Sequence, residues 1–279
     1  MFLLLLKKVA YLRLSIKLLR RTTVNAGLNE QRMLIRRVAK DIVDSRKTIA
    51  LTGAGISVES GIPDFRSAGG LWSKYNPEEY AHISAFQSNP EKVWHMLKEM
   101  MELVLGAEPN PAHSALAELE EMGLLSSVIT QNVDGLHQRG GSKDVIEFHG
   151  SNRWLVCLDC GDRREAASLS FDVIPPRCLH CSSILKPDVV FFGEPIPWEA
   201  QTKSFEEATT CDLVLVIGTS AVVYPAAGIP TSAKQSGAKV VEINMEPTPL
   251  TGFISDYLIQ GAAGAILPKI VEEIRRHVA

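Results

Sequence analysis

Asp212-Leu-Val-Leu-Val-Ile-Gly218 restricts the fold of this 279-residue chain more than any other stretch. Five consecutive apolar residues without polar alternation describe a strand covered on both faces, as in the centre of a parallel sheet flanked by helices. The run stops abruptly at Gly218-Thr219-Ser220. Three other apolar runs behave alike. Thr48–Thr52 leads into Gly53-Ala54-Gly55, Leu124–Thr130 into Gln131-Asn132-Val133-Asp134, and Ala238–Ile243 into Asn244. Val145–Phe148 and Asp256–Gln260 read as shorter strands. Between them, helical spacing marks 29–46, 91–105, 111–122 (stopped by Gly123), 197–209 and 262–278. Strands alternating with helices predict an α/β fold, a Rossmann-like parallel sheet with helices on both faces. Parallel strands bring all four small or polar clusters to one edge, where a single ligand can touch every one.

The run Ala50-Leu-Thr-Gly-Ala-Gly-Ile-Ser-Val-Glu-Ser-Gly-Ile-Pro-Asp-Phe-Arg66 continues to Trp72. A strand ending in a Gly-rich turn suits phosphate, because bare backbone N–H groups approach the anion at a helix start. Val58 stands where a dinucleotide fingerprint carries its third glycine, so the residues alone fit an ordinary tight turn equally well. Residues 67–90 show little periodicity and predict a long excursion from the sheet, punctuated by Gly69-Gly70, Pro77 and Pro90. The apolar band of 91–105 (Val93, Met96, Leu97, Met100, Met101, Val104) suits a core face or the wall of an apolar channel.

Four of the five cysteines form two C-x-x-C pairs, Cys157/Cys160 and Cys178/Cys181, 17 residues apart. Two such knuckles close a tetrahedral zinc site, and four thiolates leave no open position, so the zinc is structural. From Arg153 to Lys186 five basic residues face four acidic ones, and the whole chain carries a net charge of −3. No basic stripe for nucleic acid results. Cys211, just before the central strand, reads as a core thiol. The first 28 residues are basic and leucine-rich, with no acid before Glu30. They read as a floppy extension, or as a targeting or membrane-surface helix. No apolar run approaches the ~20 residues of a membrane span, and a cytoplasmic location is expected.

Gly53-Ala54-Gly55-Ile56-Ser57, Gly61-Ile62-Pro63-Asp64-Phe65-Arg66, Thr130-Gln131-Asn132-Val133-Asp134, His149-Gly150, the four cysteines, Phe191-Phe192-Gly193-Glu194 and Gly218-Thr219-Ser220 follow one another in this order. Together they closely resemble the prokaryotic-type sirtuins, NAD-dependent protein-lysine deacylases, from about residue 30 to the C-terminus. The resemblance implies a catalytic region over 29–279. It comprises a Rossmann-like core (29–70, 111–150, 187–279), a helical insertion (71–110) and a zinc module (151–186), with 1–28 outside. NAD and an acylated lysine would meet in the cleft between them, giving nicotinamide, free lysine and O-acyl-ADP-ribose. By position, His149 would be the general base, its imidazole titrating near working pH. Asn132 and Asp134 would line the nicotinamide pocket and place an attacking water. From the residues alone, these two also suit an Asx turn and His149 a structural histidine.

The resemblance further implies cofactor contacts from Gly53, Ala54, Gly55, Ile56, Ser57, Pro63, Asp64, Phe65, Arg66, Trp72, Gln131, Val133, Gly218, Thr219, Ser220, Asn244 and Ala262. Val190, Phe192, Gly193, Glu194 and Val222 would hold the substrate, whose peptide adds as a strand between two cleft segments. Sirtuins that prefer succinyl or malonyl lysine carry a Tyr and an Arg three apart on the helix matching 91–105; Leu97 and Met100 stand there in this chain. Neither pairs with a carboxylate, so an uncharged acyl group is expected, acetyl first. Two other functions compete: mono-ADP-ribosyl transfer to protein from the same site, and an NAD-sensing or zinc-mediated binding module. A hydride-transfer dehydrogenase fits poorly, since no substrate acid/base pair emerges beside the nicotinamide pocket.

Overall fold

The computed structural model describes residue 27 and residues 29–278, so the basic stretch expected at 1–28 lies outside the described residues apart from Gly27. Six strands form one parallel sheet: β1 (Thr48–Thr52), β2 (Ser127–Thr130), β3 (Val145–Glu147), and, after three strands of a second sheet, β7 (Leu213–Ile217), β8 (Lys239–Asn244) and β9 (Tyr257–Gln260). Their order is β3-β2-β1-β7-β8-β9. All run the same way; the order in which strands are added reverses between β1 and β7, the switch point where open α/β sheets hold ligands. The second sheet is antiparallel: β4 (Gly150–Cys157) lies between β5 (Arg163–Glu165) and β6 (Leu185–Val189).

The helices are α1 (29–44), α2 (Leu71–Lys74), α3 (Pro77–Tyr80), α4 (Ile83–Ser88), α5 (Pro90–Gly106), α6 (Pro111–Glu121), α7 (Leu136–Arg139), α8 (Trp198–Thr210), α9 (Ile229–Gln235) and α10 (Ala263–Val278). Every residue of β1, β2 and β7 is buried, which is why their sequences lack polar alternation. Alternate side chains go to opposite faces. Ala50, Val128, Leu215 and Ile217 pack with Val38, Ile42, Leu116 and Ile270 of α1, α6 and α10. Ile49, Leu51, Val214 and Val216 pack with Ala208, Ile229 and Ala233 of α8 and α9.

A third core joins α2 and α5 to the antiparallel sheet. Trp94 of α5 is fully buried there, and its indole N–H donates to the Leu185 carbonyl at 2.9 Å. The insertion and the cysteine segment, read from sequence as two units, therefore share one apolar interior. The segment expected to be an irregular excursion contains three short helices, α2 to α4. Asn76, Asn89 and Asn110 each accept a backbone N–H at the start of α3, α5 and α6, each followed by proline in the first turn. An Asn-Pro pair is a helix start: the amide caps the free N–H groups and proline needs none.

Candidate active site

The C-terminal ends of β1, β2, β7 and β8 open into a cleft of about 1340 Å³. At its floor the β1 turn is stitched to the β7 turn. The Gly53 N–H donates to the Ile217 carbonyl at 3.1 Å and the Gly55 N–H to the Gly218 carbonyl at 2.8 Å. A Cβ at either position would lie 2.8 Å from Thr219 or Gly218. The glycines thus permit backbone against backbone, and their amides are already bonded inside the protein. Two 3-10 turns, Ala54–Ile56 and Val58–Ser60, follow in place of the α-helix start expected from sequence. Ile56 is fully buried in the core between α1, α6 and the sheet, and does not line the cleft.

The β2 turn supplies a polar pocket. Asn132 Nδ2 donates to Ser57 Oγ at 3.0 Å and to the Gly53 carbonyl at 3.2 Å. Ser57 Oγ in turn donates to Asp134 Oδ2 at 2.7 Å. The Asp134 Oδ1 atom accepts the Leu136 N–H at 2.9 Å, so the Asx turn read from sequence is present as well. Gln131 Nε2 reaches Thr219 Oγ1 at 3.0 Å, and Asn244 Nδ2 reaches the Thr219 carbonyl at 3.1 Å. These bonds lock three strand ends together around Thr219.

His149 follows β3 and lines the same cleft. Its Nδ1 lies 3.1 Å from the Gln131 carbonyl. A carbonyl only accepts, so Nδ1 carries the proton and Nε2 keeps its lone pair. Burial holds the imidazole below its ordinary pKa, against a smaller upward pull from that carbonyl. A neutral, singly oriented imidazole is suited to take a proton.

The 61–72 segment closes one wall. Asp64 Oδ1 accepts the N–H groups of Arg66 and Ser67 at 3.0 and 2.8 Å, and the Asp64 carbonyl accepts the Leu71 N–H at 2.7 Å. Phe65 and Trp72 lie with ring centroids 5.1 Å apart, and Arg66 reaches Ser220 Oγ at 3.4 Å. Ala54, Pro63, Phe65, Gly218, Ser220 and Ala262 all line the cleft.

Opposite stand Val190, Phe192, Gly193 and Glu194, together with Val133. The Phe192 backbone pairs with the insertion: its N–H donates to the Ala81 carbonyl at 2.8 Å and its carbonyl accepts the Ile83 N–H at 3.0 Å. Val222 does not line the cleft; its neighbours Val223 and Tyr224 do. From α5, Met96, Leu97, Met100, Leu103 and Val104 contribute an apolar wall. Leu97 is also packed into the third core, so this helix is both core face and channel wall. Leu103 escaped the sequence reading because one exposed-looking leucine beside a helical stripe carries no signal of its own.

The four cysteines of the two C-x-x-C pairs converge, their Sγ atoms all within 4.8 Å of one another. The Cys157–Cys181, Cys160–Cys181 and Cys160–Cys178 separations are 3.4, 3.5 and 3.6 Å. Four sulfurs about 2.3 Å from zinc at tetrahedral angles lie about 3.8 Å apart, so the cluster is compatible with one structural zinc. The His180 N–H points at Cys178 Sγ from 3.4 Å, leaving its imidazole outside the set. Cys211 is buried, and burial pushes its thiol up to about 11, consistent with an inert core residue. Among the described residues no helix is long and apolar enough to cross a membrane.

The profile of the Sir2 family matches residues 53–225. NAD-dependent protein deacylase 2 of Pyrobaculum aerophilum is 51% identical over 241 residues, covering 86% of this chain and 96% of that protein. A Sir2 homologue solved in complex with NAD superposes with a TM-score of 0.82 at 45% identity, over 87% of this chain and 94% of the other. A Sir2 protein solved with a p53 peptide and NAD+ superposes at 0.77 with 38% identity, over 85% and 96% of the two chains. With a parallel sheet of this order, a cleft across its switch point, a four-cysteine cluster and these matches, the chain belongs to the Sir2 family.

Proposed function

We propose that this protein removes uncharged acyl groups, acetyl first, from protein lysines in an NAD-dependent reaction. The observation that carries the reading is His149: a buried, neutral imidazole with Nδ1 committed to a carbonyl, sharing one cleft with the Asn132–Ser57–Asp134 network. NAD, when bound, would supply the ribose that gives up nicotinamide and carries the acyl group away on a hydroxyl oxygen. The remaining work falls to the chain. Asn132 and Asp134 hold the carboxamide end, oriented by the Ser57 hydroxyl. His149 takes up a proton at Nε2. Phe65 and Trp72 keep water from the reacting ribose, and Arg66 adds positive charge on that side. Gly218, Thr219, Ser220, Asn244 and Ala262 carry the pyrophosphate and adenosine.

The peptide is read through backbone. Gly193 makes no backbone bond with the described residues, and its N–H and carbonyl are open to an added strand beside Val223. Leu97 and Met100 on the cleft wall offer no partner to a charged acyl group. Reduced thiolates at the zinc cluster accord with a cytoplasmic location. The test is a panel of acetyl, longer fatty acyl and succinyl peptides with NAD, read by nicotinamide release, with His149→Ala as control. Label from NAD appearing on protein in place of free O-acyl-ADP-ribose would instead favour mono-ADP-ribosyl transfer.

A further inference from the structure

Lys186 lies on β6 at 3% exposure and has no part in the site described so far. Burying an ammonium is costly unless its three protons all find acceptors. Here they do. Nζ donates to the Pro187 carbonyl at 3.1 Å, the Val189 carbonyl at 2.6 Å and Glu194 Oε2 at 3.0 Å. It also lies 4.6 Å from the centre of the Phe191 ring.

The same Glu194 oxygen accepts the Phe191 N–H at 2.8 Å, while the Glu194 N–H donates to the Phe191 carbonyl at 3.0 Å. Residues 191–194 therefore form a tight turn closed twice, once by backbone and once by the carboxylate. Gly193, at φ +85°, occupies the turn position that needs a left-handed residue, and a Cβ there would meet the His82 ring at 2.8 Å. The tip of this turn, Phe192 and Gly193, is the rim of the cleft. Its other end is tied to the catalytic histidine, since the Val190 N–H donates to the His149 carbonyl at 2.9 Å.

We propose that Lys186 is a positioning residue for the acyl-peptide. Its ammonium ties the Glu194 carboxylate, and with it the 191–194 turn, to the end of β6 and so sets where the Phe192–Gly193 rim stands relative to His149. The inference rests on the deacylase reading above. All three acceptors belong to residues 187–194 and none to the NAD-side loops. Loss of the ammonium therefore displaces the peptide rim and leaves the NAD side in place. Glu194 acts through the same bond, its carboxylate committed inward, so the rim meets the peptide with backbone.

The test uses the full chain loaded with zinc. A fluorescein-labelled acetyl-lysine peptide reports peptide affinity by anisotropy, calorimetry reports NAD affinity, and metal analysis reports zinc. Lys186→Met is expected to weaken the peptide about tenfold or more, with NAD affinity within about twofold and zinc retained. Lys186→Arg, which keeps a cation against Glu194, is expected to recover most of that loss. If Lys186→Met does not fold, Glu194→Gln must give the same split between the two ligands. Unchanged peptide affinity, or equal weakening of peptide and NAD, overturns the proposal. A wild-type protein that binds the peptide yet releases no nicotinamide overturns the deacylase reading while leaving the positioning role to stand on affinity alone.

Discussion

The Ser57 hydroxyl donates to Asp134 at 2.7 Å while accepting from Asn132, so one small side chain fixes the relative orientation of the two polar groups in the pocket. Ser57 is 1% exposed and adds little apolar packing. Ser57→Ala is expected to lower kcat/KM for NAD by roughly tenfold or more, while unfolding shifts by only about 1 kcal/mol. Initial rates and thermal denaturation separate the two effects, and an unaltered kcat/KM would remove Ser57 from the mechanism.

With His149 as the proposed general base, its environment sets the pH profile. Because burial lowers its pKa, the base form persists below pH 6.5. The acidic limb of kcat/KM for the acyl-peptide is expected to have its midpoint below that value. The measurement is a rate profile from pH 4.5 to 8 at saturating NAD; a midpoint above 6.5 contradicts the assignment.

Acid stability depends on a different imidazole. His137 is 1% exposed; burial first, and then the neighbouring His113, push it down to about 3. Its Nε2 is 2.9 Å from Thr52 Oγ1, and its ring centre is 4.9 Å from that of His113. The unfolded chain binds this proton near pH 6.5 and the folded one does not. Stability is therefore full above pH 6.5 and falls as pH drops from there toward the folded value, by about 1.4 kcal/mol per pH unit. Urea midpoints at pH 7 and 5 are expected to differ accordingly, and His137→Gln is expected to flatten that difference. An unchanged slope in the variant would place the acid sensitivity elsewhere.

Zinc removal is expected to reach beyond the cysteine cluster. Cys157 and Cys178 share an apolar core with Trp94 and Leu97 of α5. Cys178→Ser, or prolonged chelation, should lower the melting temperature and alter tryptophan fluorescence together with activity. Retention of full activity after verified loss of one zinc per chain would show that the core stands without it.

On the proposed reading, acyl preference is set on the cleft wall by Leu97 and Met100. Leu97→Tyr with Met100→Arg introduces a hydroxyl and a guanidinium where the wall is apolar. Succinyl turnover relative to acetyl is expected to rise by about tenfold or more in the double variant. A wild-type chain that already handles succinyl as well as acetyl peptide contradicts the reading of these two positions.

The sheet was legible because its strands are buried on both faces: β7 is a continuous apolar run, β1 and β2 carry shorter ones (Ile49–Leu51 and Val128–Ile129), and each strand stops where the cleft begins. The zinc cluster was legible from spacing alone. The helices between 71 and 90 were not, because at four to six residues they are too short for periodicity to show. Only α3 among them opens on an Asn-Pro pair, a helix start that can be read from sequence; α2 follows Gly70 and α4 follows His82. The short helix α9 was missed for a related reason, as seven residues opening on Ile-Pro carry little periodic stripe. Ile56 and Val222 sit within motifs whose neighbours line the cleft, but one side chain goes to the core and the other to the outside. Motif membership gives proximity along the chain, whereas side-chain direction depends on the local turn. Lys186 was invisible as a functional residue, since a lysine in sequence reads as surface until its burial is known.

The paired backbone of Phe192 has a consequence for how selectivity is organised. Both of its hydrogen-bonding groups belong to Ala81 and Ile83, in the same insertion whose helix α5 walls the cleft. The cleft rim at Phe192 and the insertion that carries the apolar wall are thus splinted together. On the proposed deacylase reading, a change that widens the one is expected to shift the other, coupling acyl range to peptide preference.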